Sequence, residues 1–136
     1  MTTIEIVENK ISSVKRYLKL CQRYQKFSQQ EIESSIDLRG ATERYLFLLM
    51  QAAIDLAESY VSWKKFRKPT TMSEAFYILE ENGIIEKKLT EKMVQMTGFR
   101  NVIVHDYDKI DYDILYDILQ NGIKDVEKFL EIIEKN

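Results

Sequence analysis

Ile4-Glu-Ile-Val-Glu-Asn-Lys-Ile-Ser-Ser-Val-Lys-Arg-Tyr-Leu-Lys-Leu-Cys21 sets the period for the chain. Ile4, Val7, Ile11, Val14, Leu18 and Cys21 recur at alternating spacings of three and four, with mostly polar residues between them. That spacing keeps one narrow apolar seam on one face of a helix and predicts a helix from about Thr3 to Lys26. The seam has two readings. It packs inside the chain's own bundle, or it also lies at a contact between subunits.

The helical period continues outward from this segment. Ser28 and Glu31 have the spacing of a capping box ahead of a short piece reaching Asp37, and Gly40 argues against a continuous helix there. A second long helix is expected from about Leu38 to Trp63, with Tyr45, Leu48, Leu49, Ala52, Leu56 and Tyr60 on its apolar side and Pro69 as its stop. Ser73 can cap a short third helix that contains Phe76, Ile78 and Leu79 and ends at Gly83. Thr90 can cap a fourth, which carries Met93, Met96, Phe99, Val102 and Ile103 toward His105. Asp111 can cap a fifth, with Leu115, Leu119, Val126, Phe129, Leu130 and Ile133 as its apolar face. No segment alternates as a strand does. The expected fold class is all-α, an antiparallel bundle of about five helices forming a single domain over residues 1–136.

Composition narrows the chemistry. The chain has 136 residues, 45% of them hydrophobic, enough for one core. Twenty Lys and Arg against 22 Asp and Glu give a net charge of −2, which excludes a globally basic nucleic-acid coat but not a local basic patch. One Cys and one His exclude a disulfide framework, a thiolate-rich metal site and a histidine cluster within one subunit. Two facing subunits would supply two imidazoles. Without an apolar run of membrane-spanning length or a signal-type N-terminus, a cytoplasmic location is expected. Cys21, Met50, Met93 and Met96 read as core residues.

Gly98-Phe-Arg-Asn-Val-Ile-Val-His-Asp-Tyr107 carries the candidate chemistry. His105 stands near a helix C-terminus beside Asp106 and Asp108, a setting for a group that takes and gives protons. Arg100 lies five residues before it, and five residues of ideal helix leave two side chains about 140° apart. They converge only if the helix loosens near His105, or if each faces a counterpart on another subunit.

Arg100-Asn101-Val-Ile-Val-His105-Asp-Tyr107 resembles the Arg-x4-His-x-Tyr signature of HEPN domains, specifically the HepT-type toxin branch. Glu43-Arg-Tyr-Leu-Phe-Leu-Leu-Met-Gln-Ala-Ala-Ile-Asp-Leu-Ala57 is similar to that family's corresponding helix, and the chain length and helix order fit as well. The resemblance implies a metal-independent endoribonuclease, active as a homodimer, with Arg100, Asn101 and His105 of both subunits lining one cleft. It further implies a minimal nucleotidyltransferase antitoxin that silences the toxin by moving AMP from ATP to Tyr107. The toxin itself would need no metal or cofactor. A different reading of the same motif is a non-catalytic helical subunit that binds a nucleotidyltransferase or a nucleotide.

Other residues stay open at this point. Gln51 and Asp55, one turn apart on a mostly apolar helix, are either exposed positions or supports behind the site. Lys64, Lys65, Arg67 and Lys68 are either a solvated helix end or a track for RNA phosphates, with Phe66 available for stacking.

Overall fold

The computed structural model describes residues 2–136. Helix α1 spans Ile4–Gln22, and the Thr3 hydroxyl accepts the Ile6 amide at its start. Val7, Val14, Leu18 and Cys21 are buried against the long helix α3, so the seam serves the intrachain bundle. Burial drives the Cys21 thiol up to about 12, which makes it inert. α1 stops short of the expected Lys26. Residues 23–27 turn instead, packing Tyr24 against Tyr45 with ring centroids 5.7 Å apart. Helix α2, Gln29–Ser34, starts with the expected capping box: Glu31 N donates to Ser28 Oγ and Ser28 N to Glu31 Oε1.

Helix α3, Ile36–Trp63, is the spine on which α1, α2, α4 and α5 pack. It runs unbroken through Gly40, contrary to the expected interruption. A glycine inside a helix costs about 1 kcal/mol relative to alanine, and the buried face of so long a helix offsets that. Nor does Pro69 stop it. Lys65 N bonds the Ser62 carbonyl and Phe66 N the Val61 carbonyl, a Schellman turn with Lys65 at φ 61° where glycine is the usual residue.

Helix α4, Met72–Glu81, is capped by Thr71 rather than Ser73, because the Thr71 hydroxyl takes the Glu74 amide at 3.1 Å. It ends on Gly83, at φ 74°, as the sequence indicates. Helix α5, Lys87–His105, begins a turn earlier than a Thr90 cap would place it. Thr90 is buried inside the helix, its hydroxyl donating to the Glu86 carbonyl.

A 3-10 turn, Tyr107–Lys109, leads to Asp111, which caps helix α6, Tyr112–Asp117. A π turn, Ile118–Gly122, then runs directly into helix α7, Ile123–Lys135. The residue 23–27 turn clamps this widened segment. Gln25 Nε2 donates to the Leu119 carbonyl, Gln120 Nε2 to the Gln25 carbonyl, and Tyr116 Oη to the Phe27 carbonyl. The structure is thus the all-helical bundle that the period predicts, with no strand among the described residues. Met50, Met93 and Met96 are buried in its core beside the edge-on pair Phe76–Phe129. No described helix is long and apolar enough to cross a membrane.

Candidate active site

The core face of α5 fixes where Arg100 points. Leu89, Met93, Met96 and Phe99 are buried, and the next residue reaches the middle of α3. Arg100 Nε donates to Gln51 Oε1 at 2.9 Å, and Gln51 Nε2 donates to Asp55 Oδ1 at 2.9 Å. Arg100 Nη1 donates to Asn101 Oδ1 at 2.9 Å. The guanidinium carbon of Arg100 also lies 5.4 Å from the Phe47 ring centroid, and that of Arg44 lies 5.6 Å from the same ring. Gln51 and Asp55 therefore form a chain of hydrogen bonds behind Arg100. The acceptors that hold the guanidinium directly are neutral amides, and among the described residues no carboxylate pairs with it. Its charge is left uncompensated, and its Nη edge still has donors for an anion.

Helix α5 stays regular to its end. The Asp106 amide bonds the Val102 carbonyl at 2.8 Å, so the loosening that could swing His105 toward Arg100 does not occur. His105 is exposed and has no side-chain hydrogen bond among the described residues, and Asn101 braces Arg100 rather than the imidazole. One subunit brings together Arg100, Asn101, Gln51 and Asp55. It does not bring His105 to them. Val104, 45% exposed, and the half-buried Ile103 continue an apolar strip beside Phe47, and Ile36 on α3 is 77% exposed.

A second network lies beside this one. Glu43 of α3 is 3% exposed, and its carboxylate accepts Tyr107 Oη at 2.5 Å on one oxygen and Tyr112 Oη at 2.6 Å on the other. The hydrogen bond to Glu43 raises the Tyr107 phenol above its ordinary range, with burial adding to it. For Tyr112 burial is the larger cause and the bond to Glu43 the next. Tyr107 nevertheless stays 54% exposed at the edge of a groove of about 370 Å³ lined by Gly40, Glu43, Arg44, Phe47, Ile103 and Val104. The sequence reading does not single out Glu43, although a signal exists. It falls on the buried repeat that continues through Leu46, Met50, Ala53 and Ala57, and an acid there needs donors from elsewhere in the chain.

The basic run lies at the other end of α3, about 30 Å from Glu43 at roughly 1.5 Å per residue. Arg67 is a structural clamp. Its Nε and Nη2 grip both oxygens of Glu81 at 3.0 Å, and Nη1 reaches Glu74 at 3.2 Å. Lys64 sits over the Trp63 ring at 4.8 Å, Lys65 occupies the left-handed turn, and Phe66 packs half-buried on the core. Lys68 lies beside Pro69 at the surface. These residues do not join the Arg100 site.

The all-helical bundle with an arginine–histidine motif at the end of a late helix is the arrangement that the resemblance to HEPN domains implies. The model of the ribonuclease HepT-like family matches residues 14–133, and the chain belongs to that family. The mRNA nuclease HepT of Shewanella oneidensis is 28% identical over 130 residues, 96% of this chain and 97% of that protein. The tRNA nuclease HepT of Aphanizomenon flos-aquae is 36% identical over 113 residues, 82% of this chain and 77% of that protein. The structure of tri-AMPylated Shewanella oneidensis HEPN toxin in complex with MNT antitoxin matches with a TM-score of 0.88 at 27% identity, covering 96% of this chain and 98% of that one.

Proposed function

We propose that this chain is a metal-independent endoribonuclease toxin that works as a homodimer and is neutralised by a minimal nucleotidyltransferase antitoxin through AMP transfer to Tyr107. The observation that carries the dimer is the regularity of α5. Arg100 and His105 leave it in different directions, so a site that uses both has to be completed by a second copy. The apolar surface of Phe47, Ile103 and the exposed Val104 suits that copy.

In the assembled cleft, Arg100 holds the scissile phosphate through its Nη edge, while Gln51, Asp55 and Asn101 fix the guanidinium. An imidazole from His105 takes the proton of the RNA 2′-OH, whose oxygen attacks the adjacent phosphorus. The bond to the 5′-oxygen breaks, and an imidazolium returns a proton to it. The products carry 2′,3′-cyclic phosphate and 5′-OH ends. AMP on Tyr107 adds bulk and negative charge beside the groove and repels RNA, by the charge logic of phosphorylation.

Cleavage of total RNA in EDTA, with the new ends mapped, tests this reading. Wild type should cut, and Arg100→Ala and His105→Ala should not. A His105→Ala protein that still cuts would remove the imidazole from the mechanism. Mixing the two dead variants separates the arrangements of the dimer. If each site takes Arg100 from one subunit and His105 from the other, about a quarter of the activity returns, through the mixed dimers.

A further inference from the structure

We infer that Glu43 is the proton acceptor for group transfer onto Tyr107, and that it selects this hydroxyl among the eight tyrosines of the chain. The inference rests on the proposed function, in which Tyr107 is the modified residue. Exposure alone does not single out Tyr107. Tyr77 is 48% exposed against 54% for Tyr107, but its hydroxyl has no carboxylate partner among the described residues. Tyr112 has the carboxylate but is only partly accessible. Tyr107 alone among these combines an open ring with a carboxylate oxygen at hydrogen-bond distance from Oη.

Glu43 itself is buried and makes no ion pair among the described residues. A carboxylate on the phenol is the arrangement of a base and a nucleophile. In the transfer, Tyr107 Oη attacks the α-phosphorus of a nucleoside triphosphate held by the nucleotidyltransferase. The Oη–P bond forms, the bond to the bridging oxygen breaks, pyrophosphate leaves, and the phenolic proton passes to Glu43 Oε1. The groove beside the hydroxyl, with Arg44 and Phe47 in its wall, gives the incoming nucleotide room. The groups that face this carboxylate are the phenols of Tyr107 and Tyr112, with the charge of Arg39 acting on both phenols and Arg44 in the groove wall. From α5 the groove receives only Ile103 and Val104, which do not titrate.

The experiment follows AMP incorporation by intact-mass spectrometry and peptide mapping, with the toxin, its nucleotidyltransferase partner and MgATP, across pH 6 to 9. Wild type should be modified at Tyr107 at a rate that changes little across this range, because the carboxylate and not solvent takes the proton. Glu43→Gln should slow kcat by about a hundredfold, the lower range for loss of a general base, with KM for the toxin unchanged. Its remaining rate should climb about tenfold per pH unit, because solvent must then remove the proton. If Glu43→Gln does not fold, Tyr112→Phe keeps the test. Removing that donor leaves Glu43 with Tyr107 as its one phenol, so the carboxylate accepts from Tyr107 more strongly and kcat should rise a few-fold. Equal rates for wild type and Glu43→Gln, parallel pH profiles, or an unchanged kcat in Tyr112→Phe would overturn the role of Glu43 and leave the proposed function standing. A wild-type toxin that is neutralised with Tyr107 unmodified would overturn the modification itself, and the inference with it.

Discussion

Two arginines near helix ends in this molecule, Arg67 just after α3 and Arg100 late in α5, use their charge in opposite ways. At the end of α3, Arg67 is held by the carboxylates of Glu74 and Glu81, and Lys64 lies over aromatic rings. At the end of α5, Arg100 is held by the amides of Gln51 and Asn101, while the nearby buried acid, Glu43, is taken up by two phenols. The first end spends its charge on the fold. The second fixes a guanidinium in place without neutralising it, which is the electrostatic condition for receiving a phosphate. The partner of an arginine therefore says more about its role than the density of basic residues around it.

The contrast is tested most severely by paired substitutions. Arg100→Ala should lower RNA cleavage by about 10²–10³-fold, the range for losing one preorganised donor to a developing charge. Arg67→Ala should leave cleavage close to wild type while lowering the melting temperature. Comparable losses of cleavage in both would abolish the distinction. Gln51→Ala comes next, with a fall in kcat of about tenfold, since the guanidinium keeps its charge and loses its alignment. Circular dichroism should show the fold intact.

Acid titration probes the other end. Glu74 and Glu81 lie below their ordinary value of 4.5, Glu74 first through the Thr70 amide and Glu81 first through the Arg67 hydrogen bond. A lowered folded-state value gives stability that is present above the ordinary value and lost as pH falls through the folded one. Thermal melts of wild type and Arg67→Ala should therefore differ near neutral pH and converge as pH falls well below the ordinary carboxylate value of 4.5. A gap that persists in acid would mean that Arg67 acts through packing alone. The smallest effect belongs to Lys65, whose φ of 61° favours glycine. Lys65→Gly should stabilise the chain by about 1 kcal/mol in urea melts without changing cleavage.

Much of the fold was legible because it rests on local chemistry. The seam from Ile4 to Cys21, the Ser28–Glu31 box, Gly83 and the Asp111 cap are all signals read within a turn or two of helix. Elsewhere residue type and position part company. Gly40, Ser73 and Thr90 have the residue types of breaks or caps, but burial along α3 and α5 and the competing Thr71 hydroxyl decided the actual boundaries. Pro69 was displaced in the same way by a Schellman turn built on a lysine.

The sequence by itself determined the helical class and, through the Arg100–Tyr107 motif, the family and the residues on which its chemistry is proposed to turn. The tertiary structure decided which groups stand behind them. Gln51 meets Arg100 across 49 positions of chain, and Glu43 meets Tyr107 across 64. No local period encodes such pairings, because a buried carboxylate or amide finds its partners only after the helices that carry them have packed. The structure also kept α5 regular through His105, so one chain holds its single histidine apart from Arg100, and the proposed dimer rests on that separation.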